Sequence, residues 1–239
     1  MTDLEAIGAR VSRRAYSGPL GRDDIARLEA AIARVNLDSG LSCRLLEDGA
    51  AAFGGVTKSY GLFTGVHSLI LLAGHAGPNL AEAAGHAGER LVLEATKLGL
   101  GTCWVGGTFD RTKTAATLPE GETLVAVITA GPAKENKSFM ERTVSRVAGG
   151  KHKPAAELCE TVGEAPDWFM AGVNAAAAAP SAMNRQPVRF GWRDSTANAR
   201  VESTDGLNLV DLGIAKLHFE IGAGGHFAPG NGAAFAKAD

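Results

Sequence analysis

The sequence predicts an α+β fold, a mixed sheet with helices on both faces, built as two pseudo-equivalent halves of one chain. Three observations carry this. Two uninterrupted apolar runs, Ser68–Ala73 and Thr123–Ala130, suit strands that are covered on both faces. Segments of helical period separate such runs from one another. A helix–strand–helix order then appears again beyond a polar stretch, Lys134 to Lys153, which divides the chain into a first half, residues 1–153, and a second half, residues 160–239. The two halves are expected to pack as one compact unit.

Taken in chain order, Leu4, Ile7 and Val11 recur at helical spacing, and Pro19 precedes a second helix built on Ile25, Leu28, Ile32 and Val35. A short strand is expected over Cys43–Leu46, followed by a Gly-rich loop, Gly49 to Gly65, that reads as a mobile lid. Leu80, Ala84, Ala87, Leu91, Ala95 and Leu98 form the clearest apolar stripe, which stops at Gly99, a residue type that accepts the left-handed turn after a helix. Gly131-Pro132 ends the strand that starts at Thr123. In the second half a helix opens at Pro166, runs through Phe169, Val173 and Ala176, and halts before Pro180. Val188–Trp192 and a short segment near Val201 read as strands, and Val210, Ile214, Leu217 and Ile221 mark one more buried helix. From Gly222 onward the glycines leave little to bury, so a loosely held tail is expected.

Composition narrows the function. The chain has 239 residues and a net charge of −2, from 24 basic and 26 acidic residues. Its basic residues are scattered, so no field is available to hold nucleic acid or an anionic membrane. No apolar run approaches the ~20 residues needed to span a bilayer, and the first residues hold no apolar signal core, so a cytoplasmic location is expected. The three cysteines, Cys43, Cys103 and Cys159, lie far apart and are expected to be reduced thiols. The six histidines show no H-E-x-x-H spacing, so no metal site is predicted.

Three segments carry chemistry. Leu98–Gly107 (LGLGTCWVGG) follows a helix, whereas a dinucleotide-binding fingerprint needs a strand before its glycines. It reads either as a helix cap leading tightly into a strand or as backbone that lets N–H groups reach the edge of a flat ring. Cys103 within it has no partnered base and reads as a small buried hydrophobe. Ala179–Pro187 (APSAMNRQP) is either a rigid loop tied by hydroxyl and amide hydrogen bonds or a set of neutral donors and acceptors for a polar ligand. Arg13-Arg14 and Lys151-His152-Lys153 are solvated surface or the paired cations that a phosphate monoester needs.

Together RRAYSGPL, GERLVLEATKLGLGTCWVGGTF, GKHKPAAEL, AAPSAMNRQPVRF and DLGIAKLHFEIGA resemble the FMN-dependent nitroreductase superfamily, in the variant whose APSAxNxQP box lies near the C-terminus of a single chain. The resemblance spans most of the chain, in the right order. It implies bound FMN, reduced by hydride from NADH or NADPH, and a small planar acceptor such as a nitroaromatic or quinone. It further implies that Arg13 and Arg14 reach the phosphate and ribityl chain, with Lys151 and Lys153 as a second basic pair near the phosphate. Gly106 and Gly107 match the backbone over the flavin edge, and Pro180, Ser181, Ala182 and Asn184 match the box that ordinary members receive from a second subunit. One chain would then house a complete flavin site. No side chain is expected to act as nucleophile or base, because the flavin carries the redox chemistry. Ala15 and Ser17 stand where a serine and a second basic residue are usual, and Val188 where an aromatic often follows Gln-Pro, which predicts a looser grip on phosphate and ribityl. The rival expectations are a protein of the same fold that binds flavin or another ligand without turnover and, disfavoured by the order of its glycines, a Rossmann-type dehydrogenase.

Overall fold

The structure, a computed structural model, describes residues 1–53, 62–136, 142–143 and 152–238. The chain adopts a mixed α+β fold and divides into two compact units. An N-terminal unit comprises Ala9–Leu80 and Arg90–Ala148; a C-terminal unit comprises Met1–Gly8, Ala81–Glu89 and Gly149–Asp239. Much of the Lys134–Lys153 crossing and of the expected lid, including residues 54–61, lies outside the described residues. No helix among the described residues is long and apolar enough to cross a membrane.

The first helix, α1 (Asp3–Ala9), is shorter than its spacing predicted. Val11 lies beyond it and is exposed, because the chain there has turned extended and Ser12 bridges Thr102. Helix α2 (Arg22–Ser39) buries Leu28, Ile32 and Val35, the expected stripe, and ends at Gly40, whose φ of 69° allows its N–H to reach the Asn36 carbonyl. Strands β1 (Arg44–Leu46), β2 (Ser68–His75), β3 (Gly101–Val105) and β4 (Glu122–Gly131) form one antiparallel sheet in the order β1-β2-β4-β3. Leu69 through Ala73 are fully buried. Successive side chains alternate between faces, so unbroken burial means that both faces of β2 are covered, which is why that strand is apolar throughout. One face packs Leu69, Leu71, Val105 and Val127 with Tyr16 and Phe109.

Helix α3 (Leu80–Lys97) supplies Ala81–Glu89 to the C-terminal unit and Arg90–Lys97 to the N-terminal one. Past its end Gly99 takes a φ of 76°, and the Leu100 N–H donates to the Ala95 carbonyl, so the glycine stops the helix and starts β3. A short helix, α4 (Arg111–Ala115), is capped by the Asp110 carboxylate on the Lys113 N–H.

In the C-terminal unit α5 (Ala155–Leu158) leads into β5 (Cys159–Thr161), which pairs in parallel with β6 (Arg189–Arg193), and β7 (Thr196–Arg200) closes this sheet on the other side. Helix α6 (Asp167–Ala177) starts after Pro166 as predicted. Helix α7 (Asn208–Ala223) departs from the expected stripe: every residue from Val210 to Phe219 is buried, so it is a core helix enclosed on all sides. Its contact with α3 is close enough to require glycine on both helices. A Cβ on Gly85 would strike the Val210 carbonyl, and one on Gly213 the Glu82 carbonyl.

The tail is not loose. Strands β8 (Gly225–Phe227) and β9 (Phe235–Lys237) form a hairpin. Phe235 stacks on Trp168 with centroids 5.4 Å apart, and Phe227 packs on Phe219 at 5.2 Å. The glycine content concealed this: besides these rings, the Phe227 N–H donates to the Glu220 carboxylate, and the Asn231 side chain exchanges two hydrogen bonds with the Val201 backbone.

Candidate functional site

In the N-terminal unit Arg13 is fastened at the edge of β3. Its N–H donates to the Thr102 carbonyl at 2.7 Å, its guanidinium to the Lys134 carbonyl, and its own carbonyl accepts from the Tyr16 hydroxyl at 2.7 Å. The Tyr16 hydroxyl also lies 2.6 Å from Thr129 Oγ1 on β4. Gly101 is a glycine because the stem of Arg13 passes over it: a Cβ there would lie 2.9 Å from the Arg13 Cβ and 2.7 Å from that of Ala133. Arg13 and Arg14 are both half-buried. Ala15, at 1% exposure, fills core space, and Ser17 hydrogen-bonds the Pro132 carbonyl through both N–H and hydroxyl, so the two departures from the usual motif serve packing and a turn.

At the other end of β3, Gly106 is half-buried and Gly107 exposed, and a Cβ on Gly107 would meet nothing within 4 Å. Cys103 is buried, its thiol lying against the Trp104 carbonyl. Burial pushes the Cys43 thiol up to about 11, far from the thiolate form a nucleophile needs.

The APSAMNRQP segment, in the C-terminal unit, is a tight loop around a 3-10 turn, Ala182–Asn184. Met183, Asn184 and Gln186 take left-handed φ values of 53°, 54° and 47°. Such values are uncommon for residues other than glycine, and surrounding bonds must hold them. The Ser181 hydroxyl accepts the Gln186 N–H at 2.9 Å, and the Gln186 amide donates to the Ala177 carbonyl at 3.0 Å. The Gln186 side-chain oxygen accepts the Lys153 N–H at 2.7 Å, and Lys153 Nζ donates to the carbonyls of Arg185 and Gln186 at 2.9 and 3.2 Å. From α7, Asp211 accepts the Ala182 N–H. Pro180, Ser181, Gln186, Val188, Phe190 and Asp211 line a small, mostly apolar cleft beside this loop.

The predicted residues therefore fall into two groups. Arg13, Arg14, Gly106 and Gly107 flank β3 in the N-terminal unit, and Lys153 joins Pro180, Ser181, Ala182 and Asn184 in the C-terminal unit. Lys151 lies outside the described residues. Gln186 and Asp211, which tether the APSAMNRQP loop, are not among the residues predicted from sequence. Gln186 was visible in the Gln-Pro pair, and Asp211 as a carboxylate near the start of an otherwise apolar helical pattern. Burial raises the Asp211 carboxyl to about 6, against opposing pulls from the Ala182 N–H and the Arg185 charge. Among the described residues no group of three or more His, Cys, Asp or Glu side chains is placed to hold a metal.

The family model described as "Putative TM nitroreductase" matches residues 3–223. Of solved structures, a "putative nitroreductase" from Thermotoga maritima is similar at 21% identity and a TM-score of 0.60, over 98% of this chain and 92% of its own. A "putative nitroreductase in complex with fmn" from Desulfovibrio desulfuricans is 25% identical over 70% of this chain and 98% of its own, with a TM-score of 0.49. No curated protein matches.

Proposed function

This chain belongs to the TM nitroreductase family, and from that membership we propose that it is an FMN-dependent oxidoreductase taking hydride from NADH or NADPH and reducing a small planar acceptor such as a nitroaromatic or quinone. The observation that carries the proposal is the family match from residue 3 to residue 223, which includes both the Gly-rich segment and the APSAMNRQP loop. A cytoplasmic location is part of the same proposal.

The residues present fit a flavin mononucleotide. Gly107 offers exposed backbone with open space where a side chain would stand, as the edge of a planar ring requires. Arg13 and Lys153 are cations, as a phosphate site requires, and their charged ends are held in place by backbone carbonyls. The short polar groups of Ser181 and Asn184 belong to a loop whose shape is held by its own hydrogen bonds. Bound FMN supplies hydride acceptance and release at its N5, so the chain is asked to bind and orient rather than to provide a nucleophile. In this proposal Arg13, Arg14, Lys151 and Lys153 neutralise the phosphate. Gly106 and Gly107 present N–H groups to the ring edge, and Pro180, Ser181, Ala182 and Asn184 border the ribityl chain and pyrimidine edge. One chain holds one flavin.

Purified protein incubated with FMN and freed of excess should retain flavin absorbance at roughly 450 nm that NADH or NADPH bleaches without oxygen and a quinone restores. A colourless sample that takes up no FMN would overturn the proposal. Bound flavin that neither nucleotide reduces would leave a binding protein without turnover.

A further inference from the structure

We propose that Asp211 is the positioning residue of the Ser181–Gln186 loop: its carboxylate on α7 holds the Ala182 N–H and so sets the shape in which that loop meets a flavin. The proposal rests on the flavin reading above.

Three of the loop's residues are held in left-handed backbone conformations, so its shape depends on tethers. One tether, Ser181 to Gln186, lies within the loop; others join Gln186 to Ala177 and to Lys153. The tether at the 3-10 turn is Asp211, whose Oδ1 and Oδ2 lie 3.0 and 3.2 Å from the Ala182 nitrogen. Asp211 is 3% exposed. A carboxylate has acceptor capacity for about four donors, yet here both oxygens share one N–H among the described residues. Burying an ionisable group on such terms works against stability, and an apolar side chain would serve the core better. What the carboxylate adds is a charge-assisted bond to one backbone amide at the start of the turn.

The surrounding charges leave that role to Asp211. Arg185, on the loop, favours its ionised form. On α3, Glu82, His86 and Glu89 are engaged by Lys216, Glu220 and His218 of α7. Lys153 is held by the carbonyls of Arg185 and Gln186. Asp211 also borders the small cleft beside the loop, together with Ser181 and Gln186.

The test uses wild type, Asp211→Ala and Asp211→Asn, each checked for fold by circular dichroism. Amide exchange at Ala182 in flavin-free protein reads the anchor, and FMN dissociation constants from fluorescence quenching read its consequence. Asp211→Ala should speed exchange at Ala182 and weaken FMN by about tenfold or more, as loss of a charge-assisted bond implies. Asp211→Asn keeps an acceptor and should lose less. The FMN phosphate titrates in the same range as Asp211, so the readout is the difference between affinity profiles at pH 5 to 7.5. Wild type should lose more affinity on acidification than Asp211→Asn. Unchanged exchange at Ala182 together with unchanged affinity in Asp211→Ala would overturn the proposal, as would parallel pH profiles. If wild type binds no FMN, the flavin reading fails, and the exchange measurement alone decides whether Asp211 anchors the loop.

Discussion

Lys216 Nζ lies 2.5 Å from Glu82 Oε1, with side chains only 2% and 9% exposed. The same ammonium donates to the carbonyls of Ala228 and Gly230 at 3.1 and 2.8 Å, and the Gly230 N–H donates back to Glu82 at 3.0 Å. One buried pair thus ties together α3, α7 and the loop of the C-terminal hairpin.

Removing one partner leaves the other charged and buried. Lys216→Met or Glu82→Leu alone should therefore lower unfolding stability by about 3–5 kcal/mol, and the double variant should recover much of the loss. Urea unfolding of all four proteins measures this. Single variants as stable as wild type would mean that the pair adds nothing to the aromatic and hydrogen-bond contacts that also hold the hairpin.

Valine at two glycines, one at each end of β3, should separate folding from binding. Gly101→Val drives a side chain into Arg13 and Ala133 and should destabilise the fold, whereas Gly107→Val enters open space and should leave the melting temperature near that of wild type. Only the second variant then tests the flavin edge, where it should lose most bound FMN. Full flavin retention in Gly107→Val would move that contact elsewhere.

If Arg13 neutralises the phosphate, Arg13→Ala should weaken FMN by about ten- to a hundredfold, the scale of one charge-assisted contact, and barely affect riboflavin. Titrating both flavins into both proteins shows whether the loss depends on phosphate. An equal loss for the two would place Arg13 away from it.

The Asp211 carboxyl binds its proton more readily in the folded chain, at about 6, than the ordinary value of 3.8. Its unfavourable ionisation is absent below the ordinary value and develops as pH rises through 6, so stability from this group is greatest in acid and is lost on the way to neutrality. Asp211→Asn should therefore stabilise the protein at pH 7.5 by up to about 3 kcal/mol and make little difference near pH 4. Melting curves at both values check the sign. A variant less stable than wild type at neutral pH would contradict it.

Much of the fold was legible in the chain. Leu28, Ile32 and Val35 mark α2, the run from Leu69 to Ala73 marks a strand covered on both faces, and Gly99 and Pro180 fall where helices must stop. The Gly-rich segment and the APSAMNRQP loop were also visible, as were Arg13, Lys153, Ser181 and Asn184. The tail was misread, because Phe227 and Phe235 find their partners on helices and strands elsewhere in the C-terminal unit. The stripe of α7 understated its burial, because Asp211, Lys216 and His218 look solvent-bound in sequence.

By itself, then, the sequence determined the principal helices and central strands, the fold class and the segments that carry chemistry, because side-chain periodicity and turn residues act over a few neighbouring positions. Tertiary structure alone decided that Ala81–Glu89 joins the C-terminal unit, that Glu82 meets Lys216 and Glu89 meets His218, and that Asp211 closes on Ala182. A buried charge is tolerable only where a partner satisfies it, and these partners are separated by as many as 134 positions along the chain, beyond the reach of any local pattern.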